Sequence, residues 1–371
     1  MRMNALRSTV AKLAIVVLFS GAAFALLLGG KASAATIVMP PPLSVLHHPV
    51  GQRWVRPDQR FVRYYPVTGI DGDLFDITTG PDGALWFTET GSEAIGRLDA
   101  QGNVSKYPIS PSLGEPIAIT SGPDGNVWFT LGGGSQQAIG RITPSGVITT
   151  FAFGQPFSTE LDITSGPDGN LWFTDFYNNM VGRVTTAGAV TEFPLPDYGA
   201  PLGITLGPDH KLWICEEGAL HGNDNVPARI YKMTTSLKFK AYVLSPMDWT
   251  TSPQFITVGA DKNLWFTEAD QSNPPFHVER ITTKGAITNF PLPASAEPPF
   301  RATLASDHNV WFTETLTYID RVTPDGTISR LPMPQPPGTS IPAQPRGITS
   351  GPKRGIWWVE TSSGSIGLLK P

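Results

Sequence analysis

The sequence predicts an all-β fold, a seven-bladed β-propeller of four-stranded blades whose ring is closed by an N-terminal strand. Three observations carry that expectation. First, the phrase Gly80-Pro81-Asp82-Gly83-Ala84-Leu85-Trp86-Phe87-Thr88-Glu89 recurs from Gly122, Gly166, Gly207 and Gly259, and in altered form from Ala305 and Gly351. Second, its tryptophans, Trp86, Trp128, Trp172, Trp213, Trp265, Trp311 and Trp357, are spaced 42, 44, 41, 52, 46 and 46 residues apart. A period in the forties made of strand-like segments matches one propeller blade per repeat. Third, the last repeat stops after Ile366-Gly367-Leu368-Leu369, one strand short. Phe61-Val62-Arg63-Tyr64-Tyr65-Pro66, ahead of the first repeat, resembles the outer-strand endings at Phe193-Pro194 and Phe290-Pro291. It is expected to complete the seventh blade and remove two open sheet edges.

Within a repeat each element has a local cause. In the second copy Pro116 to Thr120 reads as the innermost strand. Gly122-Pro123-Asp124-Gly125 supplies turn chemistry, because Pro sets φ and Asp and Gly tolerate the bend. Val127-Trp128-Phe129 is apolar without alternation, as a strand covered on both faces requires. Ala138 to Thr143 reads as the third strand, Pro144-Ser145-Gly146 as a hairpin turn and Val147 to Phe151 as the outer strand.

Ahead of the repeats, residues 1–34 read as a secretory signal peptide. Arg2, Arg7 and Lys12 precede the uncharged run Leu13 to Gly30, and Ala32-Ser33-Ala34 offers a cleavage site. An uncleaved signal anchor is the alternative, since the run is long enough to span a bilayer. With this segment removed, no further membrane span is expected, and the chain is placed outside the cytoplasm, secreted or in the cell envelope. Residues 35–60, with Pro40-Pro41-Pro42, Pro49 and Pro57, read as a Pro-rich linker, and 61–371 as the propeller. The first 34 residues hold four Lys/Arg and no acid, so their removal takes the formal charge from −4 to −8. That balance argues against a nucleic-acid partner, whose phosphates call for a basic face. Cys215 stands alone, so no intramolecular disulfide forms. It replaces the repeat Thr in a strand, where a buried, inert thiol is expected.

Recurrence separates architecture from function. Thr78 and its equivalents Thr120, Thr164, Thr205, Thr257, Thr303 and Thr349 are read as structural. Arg97, Arg141, Arg183, Arg229, Arg280 and Arg321 are read as blade-to-blade tethers, with Leu368 in the seventh copy. Glu89, Asp175, Glu216, Glu268, Glu314 and Glu360 end the second strands on the side of the channel mouth, and Leu131 breaks the set. Six carboxylates around one opening would raise each other's pKa or hold cations. The plainer alternative pairs each with an Arg or with local backbone.

The copies differ in the loop after the second strand. From Trp to Arg the counts are 11, 13, 11, 16, 15 and 10, so blades 4 and 5 carry insertions. They contain His221 and, in the second, Asp270 and His277. Loops on a rigid scaffold are where binding resides. The mouth end of the inner strand also varies: Phe75, Ile117, Leu161, Leu202, Gln254, Phe300 and Arg346, with Arg301 next to Phe300. Gln254, Asp270, Arg301 and Arg346 are therefore the candidate ligand-binding residues, the two arginines offering a seat for an anionic group.

The phrase Gly-Pro-Asp-Gly-x-Leu-Trp-Phe-Thr-Glu followed by Ile-Gly-Arg-Ile resembles the virginiamycin B lyase (streptogramin lyase) family of seven-bladed propellers, from Phe61 to Pro371. The resemblance implies a carbon–oxygen lyase that opens the lactone of a cyclic depsipeptide by elimination. A histidine base and Mg²⁺ held by glutamates would perform it. By motif, Glu268 and Glu314 are the candidate metal ligands. The family places histidines at the mouth end of an inner strand and just after a repeat Glu, and neither position is His here. His221 and His277, from the long loops, are the remaining candidate bases. The expectation is a monomeric protein that binds a small-molecule or peptide ligand at the mouth, as a lyase or as a non-catalytic binding propeller.

Overall fold

The computed structural model describes residues 53–55, 61–67, 73–134, 137–154, 160–221, 224–244, 251–269 and 276–370. The signal segment, most of the linker and Asp270 lie outside the described residues.

Seven antiparallel sheets follow one another in chain order, each a meander running outward from an axis. Blade 1 is Leu74–Thr79, Leu85–Glu89, Ala94–Leu98 and Val104–Pro108. The inner strands of blades 2 to 7 are Gly114–Ser121, Glu160–Ser165, Ala200–Leu206, Pro253–Val258, Pro299–Leu304 and Pro345–Gly351. Each touches its two neighbours, and the last touches the first, so the circle is complete. Blade 7 adds Gly355–Glu360 and Ser365–Leu369 and is closed by Phe61–Pro66, with Tyr64 opposite Gly367 and Arg63 opposite Leu368. The Tyr64 hydroxyl donates to the Pro334 carbonyl at 2.7 Å, and its ring stands edge-on to Trp358. A fifth strand, Arg53–Val55, pairs outside it, which the lack of any period in that stretch gave no reason to expect.

The repeat phrase explains the packing. Leu-Trp-Phe-Thr-Glu is buried along its whole length in blades 1 and 5, which retain it, and so is Val310-Trp311-Phe312-Thr313-Glu314 in blade 6. The indole N–H of Trp86 donates to the turn carboxylate of Asp82 at 3.0 Å. The same bond recurs from Trp128 to Asp124 and from Trp172 to Asp168, and on to Trp311 and Asp307. The buried ring therefore keeps its polar edge satisfied. On its other side an outer-strand aromatic stacks, as Tyr107 does on Trp86 and Tyr242 on Trp213. Tyr65 takes that place against Trp357, which is why the closing strand fits its blade. Each such tryptophan buries on the order of 150–250 Å², or roughly 4–6 kcal/mol of gross transfer energy.

Two tethers join blades. The hydroxyl of the repeat threonine on the second strand accepts from its own inner strand and donates to the next one. Thr88 accepts from Asp76 N–H at 2.9 Å and donates to the Ile117 carbonyl at 2.9 Å; Thr174 donates to Leu202 at 2.6 Å and Thr267 to Phe300 at 2.6 Å. The other tether is the third-strand cation. Arg141 reaches the Thr186 carbonyl and Arg280 the Pro324 carbonyl, each in the next blade, as expected of that position. In blade 4 the residue is Lys232, opposite Trp213, and not Arg229, which pairs with Glu216. The blade 4 insertion is thus longer than the Arg spacing suggested, because an arginine three residues early stood in for the recurrent one. Cys215 is buried in place of the tethering threonine, and burial pushes its thiol well above the ordinary value.

Candidate functional site

The two residues at the mouth end of each inner strand form two layers across the axis. The upper layer is Phe75, Ile117, Leu161, Leu202, Gln254, Phe300 and Arg346. The lower layer is Asp76, Ala118, Asp162, Gly203, Phe255, Arg301 and Gly347. Arg301, on blade 6, lies 3.2 Å from Asp76 of blade 1 and 2.7 Å from Asp162 of blade 3. Blade 7 separates blade 6 from blade 1, and blades 4 and 5 separate it from blade 3. The guanidinium therefore spans the axis itself. It lies 3.9 Å over the Phe255 ring. The carboxylates are held from behind, Asp76 by Ile119 N–H at 3.1 Å and Asp162 by Ile204 N–H at 2.8 Å. Glycine matters at position 347: a Cβ there would meet the Asp76 backbone. Burial pushes the Asp76 carboxyl up to about 6 against the pull of Arg301.

This bridge closes the channel and makes the upper layer its floor. Phe300 packs edge-on against Phe255 and Phe75, and Arg346 lies over both Phe75 and Phe300 at 5.8 and 5.4 Å. Arg346 is half-buried, and that burial pulls its pKa down, opposed by Asp73. Gln254 is buried and donates to the Ser252 hydroxyl at 2.5 Å. Thr251 and Ser252 lie between the second-strand ends of blades 4 and 5: Gly218 N–H donates to Thr251, and Ala269 N–H to Ser252. Glu217, bonded to Ser252, is pushed up to about 7 by burial.

The strand-end acids point elsewhere. Glu89, Asp175, Glu216, Glu314 and Glu360 are fully buried and Glu268 nearly so, each on the face of its own blade. Glu89 meets Lys106 at 2.9 Å and Glu216 meets Arg229 at 3.2 Å. Asp175 accepts from Gln137 and Asn178, and Glu360 from Gln344 N–H and Ser362. Glu314 takes a two-pronged contact from Arg330 at 2.7 and 2.8 Å and the Glu297 N–H at 2.8 Å. Glu268 lies beside Glu279, whose carboxyl is raised by burial and then by Glu268 itself. Asp320 is raised likewise beside Glu314. Glu268 and Glu314 thus face into different blade interfaces and do not converge. A hard cation at Glu314 would have to displace the guanidinium that already fills its lone pairs. The two residues do not fit one shared Mg²⁺.

His277 begins the third strand of blade 5, half-buried and directly opposite Glu268. His221 ends the first arm of a small hairpin, Ala219–His221 with Asp224–Val226, in the blade 4 insertion. Of the residues chosen from the sequence, the structure thus brings Gln254, Arg301 and Arg346 into one region and puts His277 at its edge. The reading had missed Asp76 and Asp162. Their signal was present, since only these two copies carry an acid where the others have Ala118, Gly203, Phe255, Arg301 and Gly347.

A seven-bladed propeller with a plugged axis and its longest insertions on one side of the mouth defines a class of scaffold. The chain belongs to the virginiamycin B lyase family, whose sequence profile it matches over residues 53–221 and 216–371. It is 29% identical over 165 residues to a virginiamycin B lyase of Nocardia farcinica (strain IFM 10152), a match spanning 43% of this chain and 50% of that enzyme. Among solved structures it is similar to a streptogramin B lyase, with a TM-score of 0.71 and 29% identity, covering 84% of this chain and 97% of that one. It is also similar to virginiamycin B lyase of Staphylococcus aureus, with a TM-score of 0.72 and 30% identity, covering 84% and 99%. A catalytically inactive histidine-to-alanine form of that enzyme has been solved with quinupristin, again at 30% identity, a TM-score of 0.72 and coverage of 84% and 99%.

Proposed function

We propose that this is an exported propeller of the virginiamycin B lyase family that binds a peptide-like small ligand at the channel mouth without opening it. The observation that carries the reading is the Arg301 bridge. It stops a ligand at the upper layer, where the half-buried Arg346 stands over Phe75 and Phe300. A cation framed by aromatic rings suits a carboxylate or an ester carbonyl with an apolar neighbour. Calorimetric titration with quinupristin tests the reading. Saturable binding is expected, weakened about ten-fold by Arg346→Ala, the loss of one charge-assisted hydrogen bond, with the lactone intact on chromatography afterwards. No saturable heat, or binding indifferent to Arg346→Ala, would overturn it.

A second reading, lactone opening by elimination, is favoured by one observation: His277 sits across the strand from Glu268 at the mouth end. In it His277, or His221 from the hairpin, takes the proton next to the ester carbonyl. The check is a chromatographic assay for the ring-opened product with and without added Mg²⁺. Turnover lost in His277→Ala or in EDTA would favour this reading over the first.

A further inference from the structure

The face opposite the mouth carries a charge pattern that the mouth does not explain. There, each inner strand turns into its second strand with one residue in the left-handed region. Blades 1 to 3 use glycine: Gly83, Gly125 and Gly169, at φ of 74, 76 and 73°. Blades 4 to 7, one continuous arc of the ring, do not. They place His210, Lys262, His308 and the pair Lys353-Arg354 there, at φ between 55 and 65°. Residues with a Cβ are disfavoured in that conformation, and the first three blades show that this turn accepts glycine. All five side chains are exposed.

The arc is basic rather than merely polar. The turn carboxylates beneath it are engaged inward: Asp209 with Trp213 and Lys232, Asp261 with Trp265 and Arg280, Asp307 with Trp311. Blades 4 and 5 add exposed Lys238 and Lys284 in the outer turns of the same face. Asp325 in blade 6 is an exposed acid on the arc and is held by Thr323 and Thr327. The turns of blades 6 and 7 meet, Ser306 donating to the Arg354 carbonyl at 3.3 Å. Its cations, Lys262, Lys353 and Arg354 at the inner turns with Lys238 and Lys284 at the outer ones, lie on a chain whose formal charge is −4.

We propose that the turn face of blades 4 to 7 is a docking surface for an anionic phospholipid bilayer. Turn tips on one side of a ring present separated cations toward a plane, which suits lipid phosphates spread over a surface. A nucleic-acid strand would call for a groove with aromatic platforms, and the arc's turn tips hold no Phe, Tyr or Trp. The apolar run Leu13 to Gly30, flanked by Arg2, Arg7, Lys12 and Lys31, directs the chain to a membrane. Docked this way, the propeller turns its mouth toward solution.

Flotation of the full chain with phosphatidylcholine vesicles, with and without phosphatidylglycerol, tests this. Arg2, Arg7, Lys12 and Lys31 around the apolar N-terminal run favour anionic vesicles by themselves, so the readout is the share of the anionic excess that the turn variants remove. A share of about ten-fold or more is expected at low salt, each surface cation contributing about five-fold, and its loss at high salt. The triple variant Lys262→Glu, Lys353→Glu and Arg354→Glu is expected to remove that share and leave only what the N-terminal cations contribute. Lys262→Gly with Arg354→Gly, which relieves the turns and keeps the fold, is expected to reduce the share several-fold. Equal partition onto both vesicles, or an excess untouched by the triple variant, would overturn the proposal. So would salt-sensitive retention on a soluble polyanion with no anionic-vesicle excess.

Discussion

Blades 1 to 3 and blades 4 to 6 are written in the same phrase but hold their inner strands together differently. In the first group the hydroxyls of Thr88, Thr130 and Thr174 serve the inner strands. A second ladder runs from Ser165 to Ser121 to Thr79 to Ser350, each hydroxyl donating to the next carbonyl. Their third strands keep Gly96, Gly140 and Gly182, where a Cβ would strike the neighbouring phenylalanine. In the second group the ladder residues are Leu206, Val258 and Leu304, and Cys215 replaces one tether. The glycine site holds Tyr231, Glu279 or Asp320, each buried. The frame is thus regular on one side of the ring, while insertions, third-strand acids and turn-tip cations gather on the other. Arg301 joins the two groups, reaching from blade 6 to carboxylates on blades 1 and 3.

The largest test of this contrast removes that link. Arg301→Met leaves Asp76 and Asp162 buried without their cation, and breaking a buried pair from one side costs about 3–5 kcal/mol. Urea unfolding at pH 7.5 is expected to show it. The loss should shrink at pH 5, because the Asp76 carboxyl, already raised to about 6, then takes up a proton. A loss below about 1 kcal/mol at pH 7.5 would mean that the halves do not depend on the bridge.

Next in size is the acid pair of blade 5. Glu279 is raised from 4.5 to about 9 in the folded protein, by burial and then by Glu268. A folded pKa above the unfolded one means that the native state binds the extra proton. Stability is therefore full below about pH 4.5 and declines as pH rises toward 9. Glu279→Gln removes the titration, so the unfolding free energy from urea titration should hardly change at pH 5 and rise at pH 8, by on the order of 1–2 kcal/mol. No paired carboxylates occupy the glycine position of blade 2, so Thr130 variants there should show no such pH dependence. An equal shift for Glu279→Gln at both pH values would show that the pair does not share a proton.

Much of this was legible in the residues, for a physical reason. Blade number, strand order and the closing strand follow from side chains that must be buried in every wedge, and seven copies repeat the message. Tyr65 was recognisable as an outer-strand aromatic because Phe193 and Phe290 precede proline in the same way. The direction of a side chain at a strand end was not legible. Glu268 and Glu314 sit at the mouth in sequence but turn into the blade, where Glu279 and Arg330 wait on other strands. Arg229 misled because an insertion places a guanidinium near the recurrent position, and only pairing opposite Trp213 distinguishes Lys232. The hydroxyl tether went unread because the invariant Thr78 series was the more conspicuous set, whereas Thr88 and its equivalents make the cross-blade bonds.

The smallest effects bear on that tether and sharpen the contrast most. Thr174→Val keeps the shape but leaves the Leu202 carbonyl and the Asp162 N–H, both buried, without their shared hydroxyl. The cost should be about 1–2 kcal/mol, read from the urea midpoint with an unchanged slope. In blade 4 the equivalent site is Cys215, flanked by the corresponding Gly203 N–H and Gln254 carbonyl. Cys215→Thr would restore the bridge there and is expected to stabilise by up to about 1 kcal/mol. It also rigidifies the strand that carries Gln254 to the mouth. If blade 4 needs the looser thiol for its ligand, Cys215→Thr should weaken quinupristin binding while raising stability. A gain in stability with unchanged affinity would instead make Cys215 a drifted tether with no part in the site.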